Sequence, residues 1–112
     1  MEWSPADVLD RMSIIKLKIE RIGLPEFQKE LHTLQETLNK FEKKGIKIKE
    51  RWLDQLYEIN KQEWELLEKM NEERRKENPD YSKIGRLYLE TEKVNKKRAD
   101  AKNRIIEETG VG

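Results

Sequence analysis

The 112-residue chain contains no cysteine, which excludes disulfides, thiolate nucleophiles and Cys-ligated metals. No stretch approaches the run of roughly 18 apolar residues that spans a bilayer, so no membrane association is expected. The start, MEWSPADV, has neither the basic segment nor the apolar centre of a signal peptide, and a soluble, cytoplasmic protein is the expectation. Neither sign of charge prevails: Lys plus Arg (24) nearly cancels Asp plus Glu (23), leaving a net charge of +1. A field that would gather nucleic acid is therefore absent. Proline (3) and glycine (5) are few, so each one acts as punctuation.

Charge itself is plentiful. Charged residues make up 42% of the chain and hydrophobic residues 35%. The signs alternate locally, as in EKKGIKIKER and NEERRKEN, which is the pattern of solvated helix faces laced with weak i,i+4 pairs. So little apolar content suits helices with a narrow apolar stripe.

Punctuation divides the chain into four helices. Ser4, Pro5 and Asp7 supply an N-cap, a proline at the first helical position and an acidic third position, with Trp3 placed to staple the start. This helix ends at Gly23, giving about 4–22. Leu24-Pro25 restarts the chain, and Phe27, Leu31, Leu34, Leu38 and Phe41 repeat at spacings of four and three until Lys44-Gly45, giving about 25–44. A third helix spans about 48–77, to the turn at Asn78-Pro79-Asp80, and a fourth about 81–108. The expected architecture is all-α: an antiparallel bundle of four helices in one domain, 1–112, made of two helical hairpins of which the second is longer.

Polar residues interrupt the stripes of the long helices. Glu63, with Asn60 beside it, breaks the apolar face of the third, and Asn95, Arg98 and Lys102 break that of the fourth. In an antiparallel hairpin, facing residues have numbers summing to roughly 157, which brings Glu63 level with Asn95 and near Arg98. One reading is a buried polar layer that fixes register. The other is a ligand site, in which Arg98 and Lys102 outweigh Glu63 and hold a small anion while Asn60 and Asn95 orient it.

Other candidates are weaker. His32 lies off its stripe and has no second histidine or ExxH nearby, so no metal site and no cofactor are expected. Glu65 with Glu68, or Glu90 with Glu92, reads as solvated surface before magnesium ligation. Leu53, Tyr57 and Trp64 form an apolar edge for packing.

The first helix has two apolar sides. Val8, Met12, Ile15, Ile19 and Ile22 form one stripe, and Asp10, Ile14, Leu17 and Arg21 lie opposite. The order acid, apolar, apolar, base is symmetric, so a two-fold axis would lay this seam on its copy with Asp10 facing Arg21. A homodimer with a coiled-coil-like seam is one expectation; packing of the same seam inside the chain is the other.

The segment Asp10-Arg11-x-Ser13-Ile14-Ile15-x-Leu17-Lys18-x-Glu20-Arg21-Ile22 resembles the opening signature of a family of short helical proteins classed as a domain of unknown function. Asn60, Trp64 and Glu68 are similar to its second block, and Asn95, Arg98, Ala99, Lys102 and Ile105 to its third, with Lys96 where the family has Asp. The resemblance implies a bacterial or tailed-phage protein, sometimes encoded beside sugar-transferase genes. Three functions follow as expectations. The first is a non-catalytic helical assembly or interaction module. The second is a small-anion or sugar-nucleotide binding accessory of glycan synthesis, resting on Asn95, Arg98 and Lys102. The third is a small all-helical enzyme, for which Arg11 and Lys18 on a long helix are superficially similar to chorismate mutases but fall on different faces.

Overall fold

Ser4 opens the first helix as its spacing predicts. In the computed structural model, which describes residues 3–112, the Ser4 hydroxyl accepts the Asp7 N–H at 3.2 Å while the Asp7 carboxylate accepts the Ser4 N–H at 3.4 Å. This reciprocal cap starts α1 (Pro5–Arg21), and Gly23, at φ 75°, turns the chain out of it. Helix α2 (Pro25–Lys43) follows, then α3 (Glu50–Arg74) and α4 (Tyr81–Thr109), whose N-cap Asp80 accepts the Lys83 N–H at 3.1 Å. The helices and both antiparallel hairpins are those the punctuation predicts. The main difference is α3, which begins two residues later and ends three earlier than expected.

The α3–α4 hairpin forms a long base. Its register pairs Lys49 with Glu108 at one end, at 3.0 Å, and Glu63 with Asn95 near the middle, as read from the polar interruptions. Across it runs α1, whose first half bonds to α4 and whose last turn bonds to α3. Helix α2 packs on α1 alone among the helices. The extents, 55 × 32 × 25 Å, and a radius of gyration of 16.4 Å describe an elongated body. A compact chain of this length would have a radius of about 13 Å.

Position explains composition. Because α1 lies between α2 on one side and the hairpin on the other, it must be apolar on more than one face. Leu9, Ile15 and Leu17 are all at most 1% exposed within the single chain. Of the two expectations for the second seam, the burial matches packing inside the chain and not a seam between copies: Leu17 is covered by its own chain, Ile14 is half-buried, and Asp10 is 4% exposed. Arg21, placed opposite a second copy's Asp10 by that expectation, reaches Glu65 and Glu68 of its own α3 at 3.6 and 3.7 Å.

A carboxylate closes the far end of the hairpin. Glu73 pairs with Lys76 at 2.7 Å and Lys83 at 3.6 Å, and accepts the Asp80 N–H at 3.0 Å. Lys76 first, then the Asp80 N–H, hold its carboxyl down from 4.5 to about 2. Lys102 likewise lowers Asp7, and Lys49 lowers Glu108. A carboxylate depressed in the folded state stabilises above its unfolded value and loses that contribution as pH falls through its folded value. The melting temperature is therefore expected to fall between about pH 4.5 and 2, and Glu73→Gln to start lower and fall less steeply. Circular-dichroism melts across that range check this, and parallel curves for both chains would remove Glu73 as the lock.

Candidate functional site

Three helices contribute polar residues to one layer through simple spacing. Asp10 and Ser13, three apart on α1, share a face, as do Asn60 and Glu63 on α3. Asn95, Arg98 and Lys102 line up along α4. Where these faces meet, Asp10 is the centre. Arg98 grips it side-on: Nε donates to the two carboxylate oxygens at 3.0 and 3.2 Å, and Nη2 to Oδ2 at 2.5 Å. From α3, the Asn60 amide donates to Asp10 Oδ1 at 3.0 Å and to Ser13 Oγ at 2.6 Å. The Ser13 hydroxyl in turn donates to the main-chain carbonyl of Asp10 at 2.6 Å.

The layer continues outward. Arg98 Nη1 lies 3.9 Å from Glu63, and the Asn95 amide, with its nitrogen toward Glu63, donates to both carboxylate oxygens at 3.2 Å. Lys102 pairs with Asp7 at 3.0 Å and stands 3.9 Å from Asp10. Exposure grades from the inside out: Asp10, Ser13 and Asn60 are buried, Arg98, Lys102 and Glu63 half-buried, and Asn95 exposed. Asp10 raises the Arg98 guanidinium above its ordinary value against the opposing effect of burial. The Lys102 ammonium and the Ser4 hydroxyl lower Asp7.

All five residues singled out on α3 and α4 (Asn60, Glu63, Asn95, Arg98 and Lys102) are thus brought together. Two expectations about them change. The hairpin register sets Glu63 near Arg98, but Asp10 is the main partner of Arg98 and Glu63 stands at the margin. The cations were to outnumber the acids, but with Asp7, Asp10 and Glu63 facing Arg98 and Lys102 the layer holds one more carboxylate than cation. Arg11 does not restore the balance, because it pairs with Glu30 of α2 at 2.8 Å. Asp10 was missed because it was placed on an outer seam. Its spacing to Ser13, among apolar neighbours on both sides, is the signal that points inward.

A cleft of about 290 Å³ opens beside the layer, lined by Trp3, Asp7, Asp10, Arg11, Ile14, Arg98 and Lys102. Among the described residues no side-chain polar atom is buried without a hydrogen-bond partner, and no group of three His, Asp or Glu could hold a metal ion. Among the described residues His32 pairs only with Glu36 of its own helix, at 3.0 Å and exposed. No described helix is long and apolar enough to cross a membrane.

Comparison with known proteins adds no relative. No family model, curated protein or solved structure matches this chain.

Proposed function

We propose that the chain is a non-catalytic helical module for assembly, and that its polar layer is an internal fastener clamping α1 to the hairpin. The observation carrying this reading is the closed electrostatics of the layer. Arg98 already commits the Nε and one Nη2 N–H to Asp10, Lys102 is taken by Asp7, and the surplus charge is negative. A phosphate or carboxylate entering the neighbouring cleft would meet guanidinium and ammonium groups whose charge is offset and an uncompensated carboxylate besides.

Sugar-nucleotide or small-anion binding is the competing reading, and the cleft beside Arg98 and Lys102 is where it would act. A thermal-shift titration with inorganic phosphate, succinate and UDP-glucose separates the two, since a ligand that binds only the folded chain raises its melting temperature by mass action. No rise is expected with any of the three. A concentration-dependent rise that Lys102→Ala abolishes would overturn the fastener reading.

A further inference from the structure

The face of the α3–α4 hairpin turned away from α1 carries no other helix of the chain, since α2 packs on α1 alone. Two clefts run along this face, of about 380 and 540 Å³, and Lys97 lines both, so they form one groove between the helices. Its floor is apolar: Ile59 and Leu66 from α3, Val94 and Ala101 from α4. Its rims are charged with opposite signs. Asp54, Glu58 and Glu65 stand on the α3 rim and outweigh Arg51, which reaches Glu108 of its own α4 at 4.0 Å, and Lys93, Lys97 and Arg104 stand on the α4 rim. Asp100 lies between Lys97 and Arg104 and leaves the α4 rim net positive. Among the described residues, neither Asp54, Glu58, Lys93, Lys97 nor Arg104 makes an ion pair within the chain.

We infer that this groove docks a second copy of the chain, hairpin back to hairpin back, about a two-fold axis parallel to the hairpin. This rests on the assembly reading and supplies its partner and its surface. Such an axis places α3 of one copy against α4 of the other at the register the two helices keep within one chain. Asp54 then meets Arg104 of the second copy and Glu58 meets Lys97, while Glu65, already reached by Arg21 of its own chain at 3.6 Å, comes level with Lys93, twice over by symmetry. Toward the turn the signs invert on both rims, with Lys69 on α3 and Glu90 on α4, and the match persists. A two-fold axis across the helices would instead set α3 on α3 and acid on acid. The result is a four-helix layer in which every neighbouring pair is antiparallel, with the two floors as its centre.

The surface is modest. From Arg51 to Lys69 the groove is about 28 Å long at ~1.5 Å per residue, and two helices are roughly 20 Å wide, so about 550 Å² per copy is covered, below the ~800 Å² of a standard interface. A weak, salt-sensitive dimer follows, with steering by the rims as its main source of specificity.

Sedimentation velocity of the full chain from about 1 μM to about 1 mM is expected to show a concentration-dependent dimer that weakens as salt is added. Two charge-reversed chains sharpen the test, one carrying Asp54→Lys with Glu58→Lys and the other Lys97→Glu with Arg104→Glu. Each alone is expected to dimerise at least about tenfold more weakly, and an equimolar mixture to form a heterodimer, because only then do opposite rims face each other. A monomer at every concentration, or reversed chains that dimerise as tightly as the natural one, would overturn this inference. In the second case the assembly reading survives on another surface. A ligand-induced rise in the thermal-shift titration that Lys102→Ala abolishes would sink the fastener reading independently.

Discussion

Asp10→Ala is expected to destabilise the chain by about 3 kcal/mol or more, among the largest costs of any single polar substitution here. The carboxylate is 4% exposed and receives hydrogen bonds from Arg98 and Asn60. Removing it strands a half-buried guanidinium and leaves the Asn60 amide with Ser13 alone. Arg98→Ala should cost a similar amount, because the opposite charge is then left buried with Asn60 at 3.0 Å and no cation nearer than Lys102 at 3.9 Å. Lys102→Ala should cost under about 1 kcal/mol, since its partner Asp7 is 45% exposed and water can replace the ammonium. Urea melts of the three variants give this ordering through their midpoints. The Asp10→Ala/Arg98→Ala double variant should lose much less than the sum of the two, because once one partner is gone the other has little left to lose. Additive losses would mean that the two groups do not act as a pair.

Leu17→Ala is expected to cost about 3 kcal/mol and Ile14→Ala about 1 kcal/mol or less. Both are apolar positions on the same side of α1, and the sequence alone ranks them equally. Leu17 is 1% exposed, so truncation leaves a cavity that the surrounding chain cannot fill without moving. Ile14 lines the open cleft beside the polar layer, where solvent takes the vacated space. The reverse ordering, with loss at Ile14 depending on protein concentration, would return the α1 seam to a place between two copies.

Which parts of this architecture could be read from sequence follows from what a periodic pattern encodes. A stripe reports which face of a helix is apolar, and for α2, with Phe27 to Phe41 on one line, a single face has a single neighbour. Interruptions in two stripes carry more: Glu63 and Asn95 gave the hairpin register because a polar residue in an apolar face must meet another. Helix α1 defeats this logic. With two apolar sides, its pattern says that both are covered but not by what, and Asp10 at the edge of the second side reads as an exposed acid because acids usually are. Only the crossing of α1 over both long helices, which periodicity does not encode, turns Asp10 into the centre of the layer. The turn signal at Asn78-Pro79-Asp80 marks only the last residue a helix could reach, and α3 stops at Arg74, where Glu73 binds the Asp80 N–H and Lys83 and closes the chain around the turn.

The Asp10–Arg98 grip joins residues 88 positions apart, one on the first helix and one on the last. Each hairpin can form from contacts near in sequence, and such contacts close quickly. The link between the hairpins cannot, because it must overcome the closure entropy of a loop that includes most of the chain. During synthesis α1 and α2 emerge with Asp10 among apolar side chains and no cation of α4 yet made. An acid so placed disfavours burial of that face before α4 exists, so the docking of α1 on the long hairpin is expected to come late in folding.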